Sequence, residues 1–420
     1  MNEAATSAGD PALEPRQGPR PLALHLGIAT IACLSSPTGL ANLSTGSSGW
    51  SESLAKRMAA LAESLANKSP DEIRPVVETA ACERLLRFLR AVDGYRHHPY
   101  RRTLADPPVL WSEGSTRLLD YSRSPEAQSS DGPAILIAPS LVNRGYVLDL
   151  MPERSLMRAL AAGGIRPYLI EWGAPGEAER ALTLDDYIMG RLGSALDAVR
   201  AGTGRRPALV GYCMGGTLAA ALAARRSDEL SGLALLAAPW DFHADGGVQA
   251  QMMAKLTSSW FPAFQRLGEM PVDVLQMLFA SLDPLLALRK FLAFSEHEPD
   301  SARADAFVAL EDWLNDGVAL PVEVARECLL GWYAENTTAS GRWIVGGAPV
   351  QPQQIELPTL AVVPANDRIV PPASADALAA AIPQARVLKP PAGHIGMVVG
   401  GRRREHLWDP LAEWVASLAQ

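Results

Sequence analysis

The 420-residue chain carries 38 Lys and Arg against 46 Asp and Glu, a formal net charge of −8, and 48% of its residues are hydrophobic against 20% charged. This balance excludes a disordered polyelectrolyte and provides no global positive field for nucleic acid or an anionic membrane. Four cysteines, Cys33, Cys82, Cys213 and Cys328, lie scattered without paired spacing, which argues against a disulfide framework or a zinc site and for a reducing cytoplasm.

Residues 1–20 (MNEAATSAGDPALEPRQGPR) are polar and rich in Pro, Gly and Ala, and read as a disordered leader. Pro21–Ser36 (PLALHLGIATIACLSS) is apolar, but its unbroken core is too short to span a bilayer, and no clear cleavage site follows it. It reads as a helix or strand docking on the body, with attachment to an apolar surface as the alternative. From Trp50 an amphipathic helix is expected, with Leu54, Met58, Leu61 and Leu65 on one face. A second helix starts at Ser69-Pro70-Asp71-Glu72, where a capping serine, a proline at the first helical position and a glutamate three residues after the cap coincide. Residues 21–103 therefore read as a small helical region ahead of a catalytic domain over 104–420.

From Asp131 onward short apolar runs alternate with helices. Strands are expected at Ala134–Ala138, Arg166–Trp172, Ala208–Val210 and 233–236, with helices at Ser155–Ala162, from Thr183, and at Thr217–Arg225. Strands separated by helices imply parallel βαβ units with right-handed crossovers and a doubly wound sheet. The alternation stops over 241–347, a stretch rich in Met, Leu, Phe and Trp that reads as a helical cap inserted in the catalytic domain. It resumes with a strand at Thr359–Pro364, a helix near Ala373–Ala381, a strand at 386–388 and a closing helix from Trp408.

The chemistry concentrates at Gly211-Tyr212-Cys213-Met214-Gly215-Gly216, directly after one strand and before a helix. This is the shape of a nucleophile elbow with cysteine in place of serine. A nucleophile on so tight a turn requires small residues two before and two after it, which Gly211 and Gly215 provide. The helix that follows directs its positive end at the thiol and the Met214 N–H at a developing oxyanion. A second oxyanion donor is expected from the loop Pro139–Arg144, with the backbone N–H of Val142 as the candidate. In this fold acid and base follow the nucleophile in chain order, and Asp367 and His394 each stand where a strand end meets a loop. The histidines at 97, 98, 243, 297 and 406 read as surface or core groups, and neither a metal nor a bound cofactor is expected.

Several strings resemble the polyhydroxyalkanoate (PHA) synthases, cysteine members of the α/β-hydrolase fold, over roughly Leu104 to Ala416. They are GYCMGGTL at 211–218, APSLVNRGYVLDLMPERSLMRAL at 138–160, NDRIVPP at 366–372, AGHIGMVV at 392–399, and EDWLNDG with YAENTTASGRWIVGG between 311 and 347. The resemblance implies Cys213 as acyl acceptor, His394 as base and Asp367 as its partner. It also implies transfer of (R)-3-hydroxyacyl groups from coenzyme A to a growing polyester, a homodimer, and contact with polymer granules. The chain departs from the pattern at Arg368, where some relatives carry histidine, and in its loosely similar N-terminal region. A thioesterase or polyester hydrolase with the same triad, and a non-catalytic granule-binding relative, are the alternatives.

Overall fold

A computed structural model describes residues 14–38, 52–129, 131–244 and 246–418. The chain forms two compact units, Met1–Tyr100 with Asp283–Asn315, and Arg101–Leu282 with Asp316–Gln420. Among the described residues no helix is long and apolar enough to cross a membrane.

The first unit is helical: Leu22–Leu34, Glu52–Leu65, Pro70–Arg96, Leu286–Phe294 and Ala302–Asn315. The longest helix opens with the expected capping box, in which the Glu72 N–H donates to Ser69 Oγ and the Ser69 N–H donates to Glu72 Oε2 at 2.8 Å. The apolar segment after Pro21 forms a helix that packs through buried Ala29 and Cys33 onto this unit's core. The helix Glu52–Leu65 buries no residue, and Leu54 and Leu61 stay exposed. Trp50, from which that helix was expected to start, and residues 1–13 of the expected leader lie outside the described residues. Arg16, also within that leader, is held in place: it donates to Asp312 Oδ1 and to the carbonyl of His98, both at 2.6 Å.

The segment 241–347 is not one body. Residues 283–315 belong to the first unit, where Phe291 meets Phe88 and Tyr95 edge-on at 6.1 and 5.6 Å and Phe294 stacks on Phe307 at 4.4 Å. The remaining cap residues, 241–282 and 316–347, belong to the second unit.

The second unit is built on an eight-stranded sheet: β1 (Val109–Glu113), β2 (Thr116–Asp120), β3 (Ala134–Ala138), β4 (Arg166–Glu171), β5 (Ala208–Tyr212), β6 (Gly232–Leu236), β7 (Thr359–Val362) and β8 (Ala385–Leu388). Their order is β1-β2-β4-β3-β5-β6-β7-β8; β1–β2 and β2–β4 pair antiparallel and all the others parallel. The chain leaves β3 toward β4 on one side and leaves β5 toward β6 on the other. With right-handed crossovers, the carboxyl ends of β3 and β5 then flank a topological switch point, where open α/β sheets place their ligands. β1 and β2 form a hairpin that the alternation pattern missed, closed by Gly114 at φ 57°. The helical run after Thr183 forms as expected: Thr183 and Asp186 cap each other, and Leu184, Ile188, Leu192 and Leu196 are wholly buried.

The segment after β3 is anchored by a buried carboxylate. Asp149 accepts from Arg158 Nε at 2.9 Å, Arg102 Nη2 at 2.8 Å and the Tyr121 hydroxyl at 3.0 Å, with no exposed surface. Removing one partner of such a cluster leaves uncompensated buried charge. Asp149→Ala should therefore lower the urea midpoint by an amount equivalent to about 3 kcal/mol or more; a variant with the parent's midpoint would remove this cluster as a fold determinant.

Candidate active site

β5 ends at Tyr212 and a helix spanning Met214–Ala223 begins at the next residue but one, so a single residue, Cys213, reverses the chain. It does so at φ 57°, ψ −130°, a conformation that costs a non-glycine residue about 1–3 kcal/mol. The surroundings impose it. The Cys213 N–H donates to the Leu236 carbonyl and the Cys213 carbonyl accepts from the Gly216 N–H, both at 2.8 Å. A Cβ on Gly211 would lie 2.4 Å from Gly216 Cα, one on Gly215 would lie 2.1 Å from the Ala138 carbonyl oxygen, and one on Gly216 would meet Ala238 Cβ at 2.4 Å. The three glycines let the helix start press against β5, the end of β3 and the end of β6 together. As the first helical residue, Met214 has an N–H with no acceptor inside the helix.

Asp367 follows β7 and His394 follows β8, both buried. His394 Nδ1–H donates to Asp367 Oδ2 at 2.7 Å, the tautomer being set by a carboxylate that can only accept. Asp367 Oδ1 accepts from the N–H groups of Ile369 at 2.8 Å and Val370 at 2.9 Å, so both carboxylate oxygens are committed. Burial disfavours the charged imidazole. The Cys213 sulfur, as a negative charge and a hydrogen-bond partner, and Asp367 together outweigh that penalty, and the pKa of His394 rises from 6.5 to about 10. Cys213, Asp367 and His394, predicted from three separate stretches of sequence, thus come together, with His394 bonded to the Asp367 carboxylate and under the influence of the Cys213 sulfur.

The partly exposed Cys213 opens into a cavity. Ser140, Val142 and Met214 line it together with Cys213, and Met253, Leu275, Phe279, Leu329, Trp332 and Tyr333 make its apolar cap side. Among the described residues, Asp241 and Arg368 are the charged ones in the lining. The Asp241 carboxylate accepts from Asn336 Nδ2 at 2.8 Å and from the His243 N–H at 2.9 Å.

Val142, the expected second oxyanion donor, lines the cavity, but its N–H is engaged: it donates to Ser140 Oγ at 3.2 Å. The loop is clamped from the cap, since the Val142 carbonyl accepts from the Val318 N–H at 2.8 Å and Asn143 bridges Gly317. His98 and His243 are each tied to a backbone carbonyl, those of Pro299 and Tyr333. Among the described residues no three His, Cys, Asp or Glu side chains come together as a metal site. Residue-type reasoning passed over Tyr212, whose ring stacks on His394 at 5.2 Å; its place beside the cysteine in the motif was the only available signal.

Residues 133–400 match the family model of the alpha/beta hydrolase fold. The chain is similar to the poly(3-hydroxyalkanoate) polymerase subunit PhaC of three organisms. Identity is 32% to that of Haloferax mediterranei, over 74% of this chain and 64% of the relative. It is 31% to that of Synechocystis sp., over 80% and 90%, and 30% to that of Allochromatium vinosum, over 73% and 87%. The chain thus spans somewhat less than two thirds of the Haloferax protein and about nine tenths of the other two.

The electrostatics of the site give a direct test. In Cys213→Ala the largest influence raising the His394 pKa is gone while burial remains, so the imidazole should titrate at least about one unit below its parent value, read by NMR. The folded pKa lies above the unfolded value of 6.5, so the stability due to protonated His394 is complete below pH 6.5 and is lost as pH rises toward about 10. The stability gap between parent and Cys213→Ala should narrow over that window; an unchanged titration would dissolve the pair.

Proposed function

We propose that this chain, which belongs to the PhaC family of poly(3-hydroxyalkanoate) polymerases on the α/β-hydrolase fold, transfers (R)-3-hydroxyacyl groups from coenzyme A thioesters to a growing polyester through an acyl intermediate on Cys213. The observation that carries this reading is a strained cysteine, acting on the buried His394–Asp367 pair, in the wall of a largely apolar cavity.

The Cys213 sulfur attacks the thioester carbonyl carbon, and the oxygen that gains charge is met by the Met214 N–H. The Val142 N–H joins it by turning from Ser140 Oγ. The intermediate collapses with cleavage of the bond to the coenzyme A sulfur, which leaves with the proton of His394. His394, now neutral, takes the proton from a chain-end hydroxyl as its oxygen attacks the acyl-cysteine. An ester forms, the Cys213 thiolate is released beside a protonated His394, and the cycle is complete. Asp367 keeps Nδ1 protonated throughout, so the opposite ring nitrogen does the proton transfer. Exchange between one thioester and another is nearly balanced in energy, which suits a cysteine nucleophile to repeated acyl transfer.

The same reading assigns the chain to the cytoplasm, at the surface of polymer granules and as a homodimer. Purified protein given (R)-3-hydroxybutyryl-CoA should release free thiol and form insoluble polyester, and Cys213→Ala should lower thiol release by at least about 10³-fold. Thiol release with soluble hydroxy acid as the only other product would make the chain a thioesterase instead. Turnover that survives in Cys213→Ala would remove the covalent step.

A further inference from the structure

The nucleophile and its base stand on strands that do not touch. Cys213 follows β5 and His394 follows β8, with β6 and β7 between them in the sheet. The histidine loop is tied to the aspartate loop by backbone bonds, from Asn366 N–H to the Ala392 carbonyl at 3.0 Å and from Ala365 N–H to the Pro390 carbonyl at 2.9 Å. These bonds fix His394 relative to Asp367, and they leave its distance from the elbow to other contacts.

We infer that Tyr212 is the positioning residue that sets this distance, holding His394 in register with Cys213 through its hydroxyl and its ring. Its hydroxyl donates to the main-chain carbonyl of His394 at 3.3 Å, and its ring stacks on the imidazole with 28° between planes and centroids 5.2 Å apart. Tyr212 is the residue next to Cys213, so a shift of its ring moves the sulfur and the imidazole against each other. The side chain is fully enclosed, with 3% of its surface exposed. Burial, together with the nearby charges of Cys213 and Asp367, pushes its ionisation well upward, so the phenol keeps its proton and remains a donor across the working pH range. The inference rests on Cys213 and His394 acting as a pair, and its test needs no acyl donor.

Iodoacetamide reads the pair directly, because the thiolate displaces iodide from the methylene carbon to form a C–S bond. Labelling must be scored on the Cys213 peptide by mass, since Cys82 is exposed and also reacts. Tyr212→Phe keeps the ring in its slot and removes the hydroxyl. The full-length variant should alkylate at Cys213 about three- to tenfold more slowly at pH 7, the loss corresponding to one hydrogen bond. The acid limb of its rate–pH profile should move upward by about half a unit or more. Tyr212→Leu, which loses the stacking as well, should be slower again. A Phe variant with the parent's rate and profile overturns the inference, and so does one whose melting temperature falls while the pH profile stays put. Because no thioester is involved, either result stands whether or not coenzyme A esters prove to be donors.

Discussion

The backbone of Cys213 sits in a region that L-residues rarely occupy, and the rest of the second unit is arranged around keeping it there. The conformation needs three close approaches at once: β5 against the start of its own helix, that helix against the carbonyl at the end of β3, and the same helix against Ala238 beyond β6. Each is possible only without a side chain, which explains the glycines at 211, 215 and 216. The consequence is chemical. The turn sets the thiol in the cavity wall, directly before the first N–H of the helix.

Strand order supplies what the elbow lacks. The reversal between β3 and β5 opens a crevice at their carboxyl ends, and the loop after β3 and the elbow after β5 face it from either side. The acid and the base arrive from β7 and β8, and they are fixed in sequence: two backbone N–H groups orient Asp367, and Asp367 orients His394. Fixing a carboxylate with main-chain donors is inexpensive in entropy, because the turn that carries them already holds its shape. The buried imidazole then carries a charge that its surroundings would otherwise refuse, on account of the sulfur and the carboxylate at its two ends.

Much of this could be read from the chain because its causes are local. The glycine spacing around Cys213, the capping pairs Ser69–Glu72 and Thr183–Asp186, and the apolar runs of the parallel strands each express a constraint acting over a few residues. The alternation announced a doubly wound α/β sheet, and the elbow together with the family resemblance narrowed it to the α/β-hydrolase fold. What stayed hidden depended on partners distant in sequence. The β1 strand is an edge strand with a mostly exposed or half-buried surface, so its residues show no apolar alternation. The face formed by Leu288, Phe291 and Leu292 announced burial without saying against what, and those residues pack with Phe88 and Tyr95 in the helical unit and not in a cap. Val142 was placed at the cavity by its position after β3, but the hydroxyl of Ser140 on its N–H depends on how the loop folds.

The lining of the cavity bears on why such a triad would transfer an acyl group and not merely hydrolyse it. An acyl-cysteine meets whichever nucleophile His394 can deprotonate, and water is the most abundant. Most of the cap side is Met, Leu, Phe and Trp, and an apolar wall holds an ordered water poorly. The aliphatic polyester chain end of the proposed reaction would fill such a space favourably, displacing water while bringing its own hydroxyl to the ring. On the proposed reading, the partition between the two outcomes would be decided less by the three polar residues, which treat either hydroxyl alike, than by how completely side chains such as Leu275, Phe279 and Trp332 close around the chain end. A hydrolase and a polymerase can therefore share this elbow, this histidine and this aspartate, and differ in the apolar wall that faces them.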